Sequence, residues 1–352
     1  MSFMEEIHRC QNLRRRTSAE EGEGSVETVE TCEFSCESMF GQHDESSTLE
    51  ENKEPDQRTS PDTYRQRRSI PGGSQGVPRK IQKRVNEHKY IMNSMRKFIC
   101  SPIDAICDLP EWLDDINLSH FDAGDKDYKR AAFHLQRESS DYTFRDILEH
   151  VDRASYKYWL SRKHNHYMTE ADSVDAIEEL LKFQYGPLGV QPFLRRLFSI
   201  MEKEIPKLNA MHIKGPPSSG KTWFVDMVAA FYINIATVGN FNKNTNFPLN
   251  DCPNRRVWIW DEPNIEPKAY EIVKMLCAGT PCPAQIKHQG GATLLRTPLL
   301  LTSNKDVFNK NDPVWSCRVY FETWKTAPFL VRYKKFPHPM AYAKLISKYV
   351  LQ

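Results

Sequence analysis

Along the 352 residues the spacing of apolar positions changes twice. Up to about residue 85 it has no sustained period, and Glu, Ser, Thr, Gly and Arg dominate. Such a stretch cannot bury enough apolar area to offset its ordering entropy, so a disordered tail is expected over 1–85. From there to Pro206 apolar residues recur every three or four positions, often after a Ser, Thr or Asp able to cap a helix. Helices are expected over 87–99, 126–136, 143–151, 171–183 and 192–204. The stretch 86–180 reads as a small helical region for oligomerisation or DNA binding.

After Leu208 short β-type runs alternate with helical ones, the mark of a parallel sheet with crossovers. Residues 210–214 alternate like a strand, and Phe224, Met227, Val228 and Phe231 then recur at helical spacing. The runs 256–260 and 298–301 are continuously apolar, as expected where both faces of a sheet are covered. The run 315–321 is β-prone. An α/β core with a parallel sheet is expected over 181–330, followed by a C-terminal tail at 331–352.

Charge sharpens this division. The net charge of +2 hides thirteen acidic residues against one basic between Thr17 and Gln57, then ten basic against one acidic between Thr63 and Cys100. Arg65, Arg67 and Arg68 form one basic cluster, and Arg79, Lys80, Lys83 and Arg84 a second, across a Pro/Gly/Ser-rich spacer. That arrangement suits a two-part import signal and a host cell nucleus, with non-specific nucleic-acid contact or a plain solvated linker as the competing readings. The hydrophobic share is 39% and the mean hydropathy −0.62, which puts part of the chain outside any core. The nine cysteines are scattered, so a reducing compartment is expected. Cys32 and Cys36 lack a second ligand pair near them, and His164 and His166 flank the polar Asn165, as surface histidines do. No run approaches the ~18 apolar residues of a membrane span, so a soluble protein with no membrane partner is expected.

The chemistry concentrates in one octet. Gly215, Pro216, Pro217, Ser218, Ser219, Gly220, Lys221 and Thr222 fit G-x-x-x-x-G-K-[ST] between the strand at 210–214 and the helix after it. A loop placed there directs backbone N–H groups and the positive end of a helix dipole at a phosphate. Lys221 is expected to reach the β- and γ-phosphates of ATP, and Thr222 to ligate Mg²⁺. Asp261 and Glu262 end the run 256–260, where ligands of parallel sheets bind. Asp261 suits the Mg²⁺ shell and Glu262 the activation of water. Asn304, after Thr302 and Ser303, suits sensing of the γ-phosphate, and Arg318 suits stabilisation of charge on the transferred group.

The order of these parts resembles a viral superfamily 3 helicase, and finer matches point to the parvovirus-type or bidnavirus-type replication protein. They are Pro206-Lys207-Leu208-Asn209, Phe247-Pro248-Leu249, Trp260-Asp261-Glu262-Pro263, Gly279, Lys287 and Thr297-Pro298-Leu299-Leu300-Leu301-Thr302-Ser303-Asn304. The resemblance spans roughly 180–330. It implies an AAA+-like P-loop ATPase that forms a ring, a hexamer, and translocates 3′ to 5′ on single-stranded DNA in a central channel. It also implies ATP held between subunits and completed by the neighbour's Arg318. A hairpin carrying Lys287 and His288 would track the DNA backbone, turning at Gly290-Gly291, with Lys274 on the preceding helix as a second candidate. Asp261 stands where parvovirus relatives more often have Glu, and the charge is kept. The origin-nicking domain usual upstream, with its His-hydrophobe-His strand, is not recognisable in 86–200, so nicking is expected of a separate protein. The same ATPase parts also suit a superfamily 3 RNA helicase of an RNA virus. A P-loop small-molecule kinase and a non-catalytic nucleotide-clamped assembly protein remain as other classes.

Overall fold

The structure is a computed structural model and describes residues 79–160, 167–287 and 290–351. The expected tail up to residue 78, the cysteines at 32 and 36, the first basic cluster, His164, His166 and His288 lie outside the described residues.

The chain opens with helix α1 (Arg79–Met95), strand β1 (Phe98–Ser101), a 3-10 turn (Ile103–Asp108) and the short helix α2 (Pro110–Asp114). Then come α3 (Lys126–Ser139), α4 (Phe144–Arg153), β2 (Tyr156–Leu160), α5 (Glu170–Tyr185) and α6 (Val190–Met201). Caps set several starts. Asp125 accepts from the amides of Asp127 and Tyr128, Thr143 and Asp146 form a reciprocal capping box, and Thr169 accepts from Asp172. Three expectations do not hold. Helix α1 begins at Arg79, so the second basic cluster is helical rather than part of a tail, and it stops at Met95 rather than 99. The region is not wholly helical, because β1 and β2 pair in parallel, with Phe98 opposite Tyr156. They join positions far apart in sequence, and such pairing leaves little local signal.

The second half carries β3 (Ala210–Lys214), α7 (Lys221–Phe231), β4 (Ile235–Thr237), β5 (Val257–Asp261), α8 (Tyr270–Ala278), the hairpin strands β6 (Cys282–Ala284) and β7 (Ala292–Leu294), β8 (Leu299–Ser303), α9 (Pro313–Ser316), β9 (Val319–Thr323) and α10 (Met340–Tyr349). Five strands form a parallel sheet in the order β4-β5-β8-β3-β9. The expected α/β class is what the chain adopts. Alternate residues feed opposite faces: Met211, Ile213, Val257 and Leu300 enter one cluster, Ala210, Trp258, Trp260, Leu299 and Leu301 the other. Both faces being covered explains why these strands read as unbroken apolar runs.

Two boundaries drawn from the sequence do not hold in the packing. Phe144, Ile147 and Leu148 of α4 and Leu180 of α5 share one core with Met211 and Phe224, although they precede residue 181. Residues 331–352, expected as a tail, supply α10, whose Ala341, Tyr342, Leu345 and Ile346 are buried in that same core. In the run 315–321, Trp315 and Ser316 belong to helix α9 and the strand starts only at Val319. Pro313 at the first helical position, behind the Asp312 cap, overrides the β-preference of the aromatic there.

Candidate nucleotide site

The octet joins β3 to α7 directly, and α7 begins at Lys221. Gly220 lies at φ +87 as its N-cap, a conformation open to glycine at no steric cost, and Ser218 at φ 60 carries part of the strain of the tight loop. A Cβ on Gly215 would come 2.7 Å from the carbonyl oxygen of Trp324, so the loop is pressed against the segment after β9. That segment straps the loop. Gln184 of α5 donates to the carbonyl of Lys325 at 2.8 Å and accepts from its amide at 2.7 Å, while Ala327 N–H donates to Ser218 at 2.9 Å.

Lys221 is 7% exposed. Its ammonium donates to the carbonyl of Gly215 at 2.7 Å, to that of Pro216 at 3.2 Å, and to Asn304 Oδ1 at 3.1 Å. Burial holds it below the usual lysine range, opposed by the charges of Glu262 and Asp261. Four of the expected site residues lie together in the structure. Lys221, Asn304, Asp261 and Glu262 converge at the C-terminal edge of β3, β5 and β8, and Thr222 is exposed one residue into the helix. Asp261 Oδ1 accepts a short hydrogen bond from Thr302 Oγ1, its partner across β5 and β8. Glu262 stands at φ 45, unusual for a residue with a side chain, and is pinned there by its amide on Thr302 O at 2.8 Å. Its Oε2 lies 3.3 Å from the amide of Asn304. Two adjacent carboxylates thus face the same edge as the phosphate loop.

The donors Thr222 Oγ1 and the Asp261 carboxylate are all oxygen, which suits a hard divalent cation that keeps phosphate and water oxygens in its shell. Among the described residues no group of three or more His, Cys, Asp or Glu side chains is placed to hold a metal ion.

Arg318 lies at the other edge. Its carbonyl accepts from the amides of Asn209 and Ala210, where β3 begins. With about 3.3 Å of rise per residue, β3 separates it from its own phosphate loop by roughly 17 Å. The guanidinium donates to Val314 O at 2.5 Å and contacts Cys317 Sγ at 3.0 Å, and its Nε is buried without a partner among the described residues. Lys287 is exposed in the connection between β6 and β7, its amide on Asn250 Oδ1 at 3.1 Å. Lys274 on α8 is 2.5 Å from Glu271 and so partly neutralised.

Sequence reasoning missed four residues. His212 of β3 is buried, and burial pushes it down to about 4. Ser303 donates its hydroxyl proton to Lys305 O at 2.6 Å, so His212 Nε2–H must donate to Ser303 Oγ at 2.7 Å. The imidazole thereby props the strand end that carries Asn304. Gln184, Trp223 and Tyr333 line or strap the loop. The two aromatic rings stack at 5.7 Å and 28°, beside a cavity of about 500 Å³ that also touches Ser218, Gly220 and Leu330. Trp223, an aromatic directly after the loop, was the available signal. Gln184 and Tyr333 are remote in sequence and left none.

The family model described as parvovirus non-structural protein NS1 matches residues 135–320. The initiator protein NS1 of Junonia coenia densovirus is 34% identical over 273 residues, 72% of this chain and 48% of that protein. The Bombyx mori densovirus counterpart is 41% identical over 196 residues, 53% of this chain and 22% of that protein. The chain spans about half the length, or less, of the curated relatives it matches. A solved JCV helicase is 14% identical with a TM-score of 0.44, covering 78% of this chain and 87% of that one.

Proposed function

The chain belongs to the parvovirus non-structural protein NS1 family, and from that premise we propose that it is an ATP-hydrolysing DNA helicase of viral genome replication. The observation that carries the reading is the convergence of Lys221, Asn304, Asp261 and Glu262 at one sheet edge while Arg318 sits at the opposite edge. The first four form a hydrolysis site. The fifth has a role only at a second copy's site.

In this reading phosphate oxygens replace the loop carbonyls now bonded to Lys221, and the N-terminus of α7 adds its dipole. Thr222 and Asp261 would hold Mg²⁺, which would supply charge neutralisation to the phosphates. Glu262 orients and deprotonates the attacking water, and its strained backbone keeps the carboxylate aimed at that edge. Asn304 reports the terminal phosphate to Lys221, and the adenine enters the cavity beside Trp223 and Tyr333. The neighbour's Arg318 meets charge developing on the transferred phosphoryl group. Repetition of that contact closes a ring, proposed as a hexamer, with Lys287 and His288 on hairpins facing single-stranded DNA and moving 3′ to 5′. Lys274, held by Glu271, has the lesser part. The basic clusters support a host nuclear location, and a separate nicking protein is proposed as partner.

ATP turnover and unwinding on matched DNA and RNA duplexes test the reading. DNA-stimulated turnover with DNA unwinding is expected; unwinding of RNA alone would end it in favour of an RNA helicase, and transfer of phosphate to a small acceptor would mark a kinase.

A further inference from the structure

A cavity of about 750 Å³ opens between the loop after β4, the start of α8 and the β6–β7 hairpin. None of its lining residues belongs to the phosphate loop or the acidic pair. Its volume falls within the ~300–1,000 Å³ of pockets that take small organic groups. The floor is apolar: Phe241 and Ala269 are buried, and Ile272 is half-buried. The rim is not. Asn246 and Gln285 are exposed and make no hydrogen bond among the described residues, so both amides can serve a ligand as donor and acceptor. Lys243 adds a cation, and Lys268 a second that is partly neutralised by its ion pair with Glu266. Glu266 also accepts from the Lys243 N–H at 2.7 Å, and with two lysines against this one carboxylate the rim keeps a net positive charge.

An apolar slot, two amides and a positive rim match a nucleobase with its phosphate: the slot takes the ring, the amides its edge, the lysines the backbone charge. The cavity also lies on the hairpin whose loop carries Lys287. Its wall is fastened to the hydrolysis site. Asn240 Oδ1 accepts from Trp260 Nε1 at 3.0 Å and from Asn264 N–H at 2.9 Å, bracketing Asp261 and Glu262.

We infer that this cavity receives one unstacked nucleotide, base inward, from the single strand that the hairpin holds. The inference rests on the helicase reading and adds to it a base-reading step, where backbone tracking alone would be blind to bases. A free mononucleotide has the same chemistry, and the test separates the two sources.

The full chain is titrated with fluorescein-labelled dT12 and with a 12-mer backbone lacking bases, in wild type and in Asn246→Trp, whose indole fills the cavity mouth from an exposed loop. Wild type is expected to bind dT12 at least about fivefold tighter than the abasic strand. Asn246→Trp is expected to lose that preference and keep its abasic affinity. Gln285→Trp, from the opposite wall, should do the same. An undiminished preference in both variants overturns the inference. Thymidine monophosphate is the second arm: saturable binding abolished by Asn246→Trp, without any strand binding, would keep the pocket but make its ligand a free nucleotide and contradict the helicase reading. Absence of binding to all three probes overturns both.

Discussion

At the scale of single residues, the site divides chemistry from support. Lys221→Ala removes the cation at the phosphates, and Glu262→Gln removes the base while keeping shape. Both are expected to lower ATP turnover by at least about 100-fold, and filter binding of labelled ATP should show that only the glutamine variant still binds nucleotide; undiminished turnover in both would sink the catalytic assignment. His212 supports from beneath. Its pKa is about 4 when folded and near 6.5 when free, so the unfolded chain takes up a proton between these values and the folded chain does not. Stability from this residue is complete above pH 6.5 and is lost as pH falls towards 4, by roughly 3 kcal/mol. Thermal melting at pH 7 and pH 4.5 should show a drop that His212→Gln reduces; an equal drop in the variant would exclude the imidazole as its source.

At the scale of elements, what the sequence revealed was whatever is encoded locally. The octet, the capped starts at Asp125, Thr143 and Thr169, and the buried runs of β5 and β8 each carry their own signal within a few residues. What stayed hidden depends on distant partners. The β1–β2 pair, the Gln184 strap and the docking of α10 are decided by contacts tens to more than a hundred residues away. The joint between the helical half and the sheet is of this kind. Glu202 after α6 accepts from Arg256 at 2.7 Å, Tyr232 at 2.9 Å and the amide of Phe144 at 2.9 Å, and Arg256 lies over the Tyr232 ring at 4.4 Å. Glu202→Ala strands a buried guanidinium and should destabilise the chain by roughly 3–5 kcal/mol in denaturant unfolding. A cost under about 1 kcal/mol would show the network to be incidental.

At the scale of the whole molecule, one continuous core from α4 to α10 under the sheet makes the helices and the nucleotide site a single mechanical body. Two features lie away from the hydrolysis site: the hairpin loop with Lys287, and Arg318 at the opposite strand end. Lys287→Ala is expected to spare basal turnover, weaken single-stranded DNA binding and lower the salt slope by about one; unaltered affinity would remove the hairpin from the DNA path. Arg318 is the sharpest probe, because a hydrolysis site shared between two copies needs its guanidinium from the neighbour. Lys221→Ala and Arg318→Ala chains, each inactive alone, are mixed and ATP turnover is measured. Recovery of turnover is expected, since an intact Lys221 then meets an intact Arg318 across some of the interfaces. No recovery at any mixing ratio, with both variants folded and assembled, would contradict the shared site.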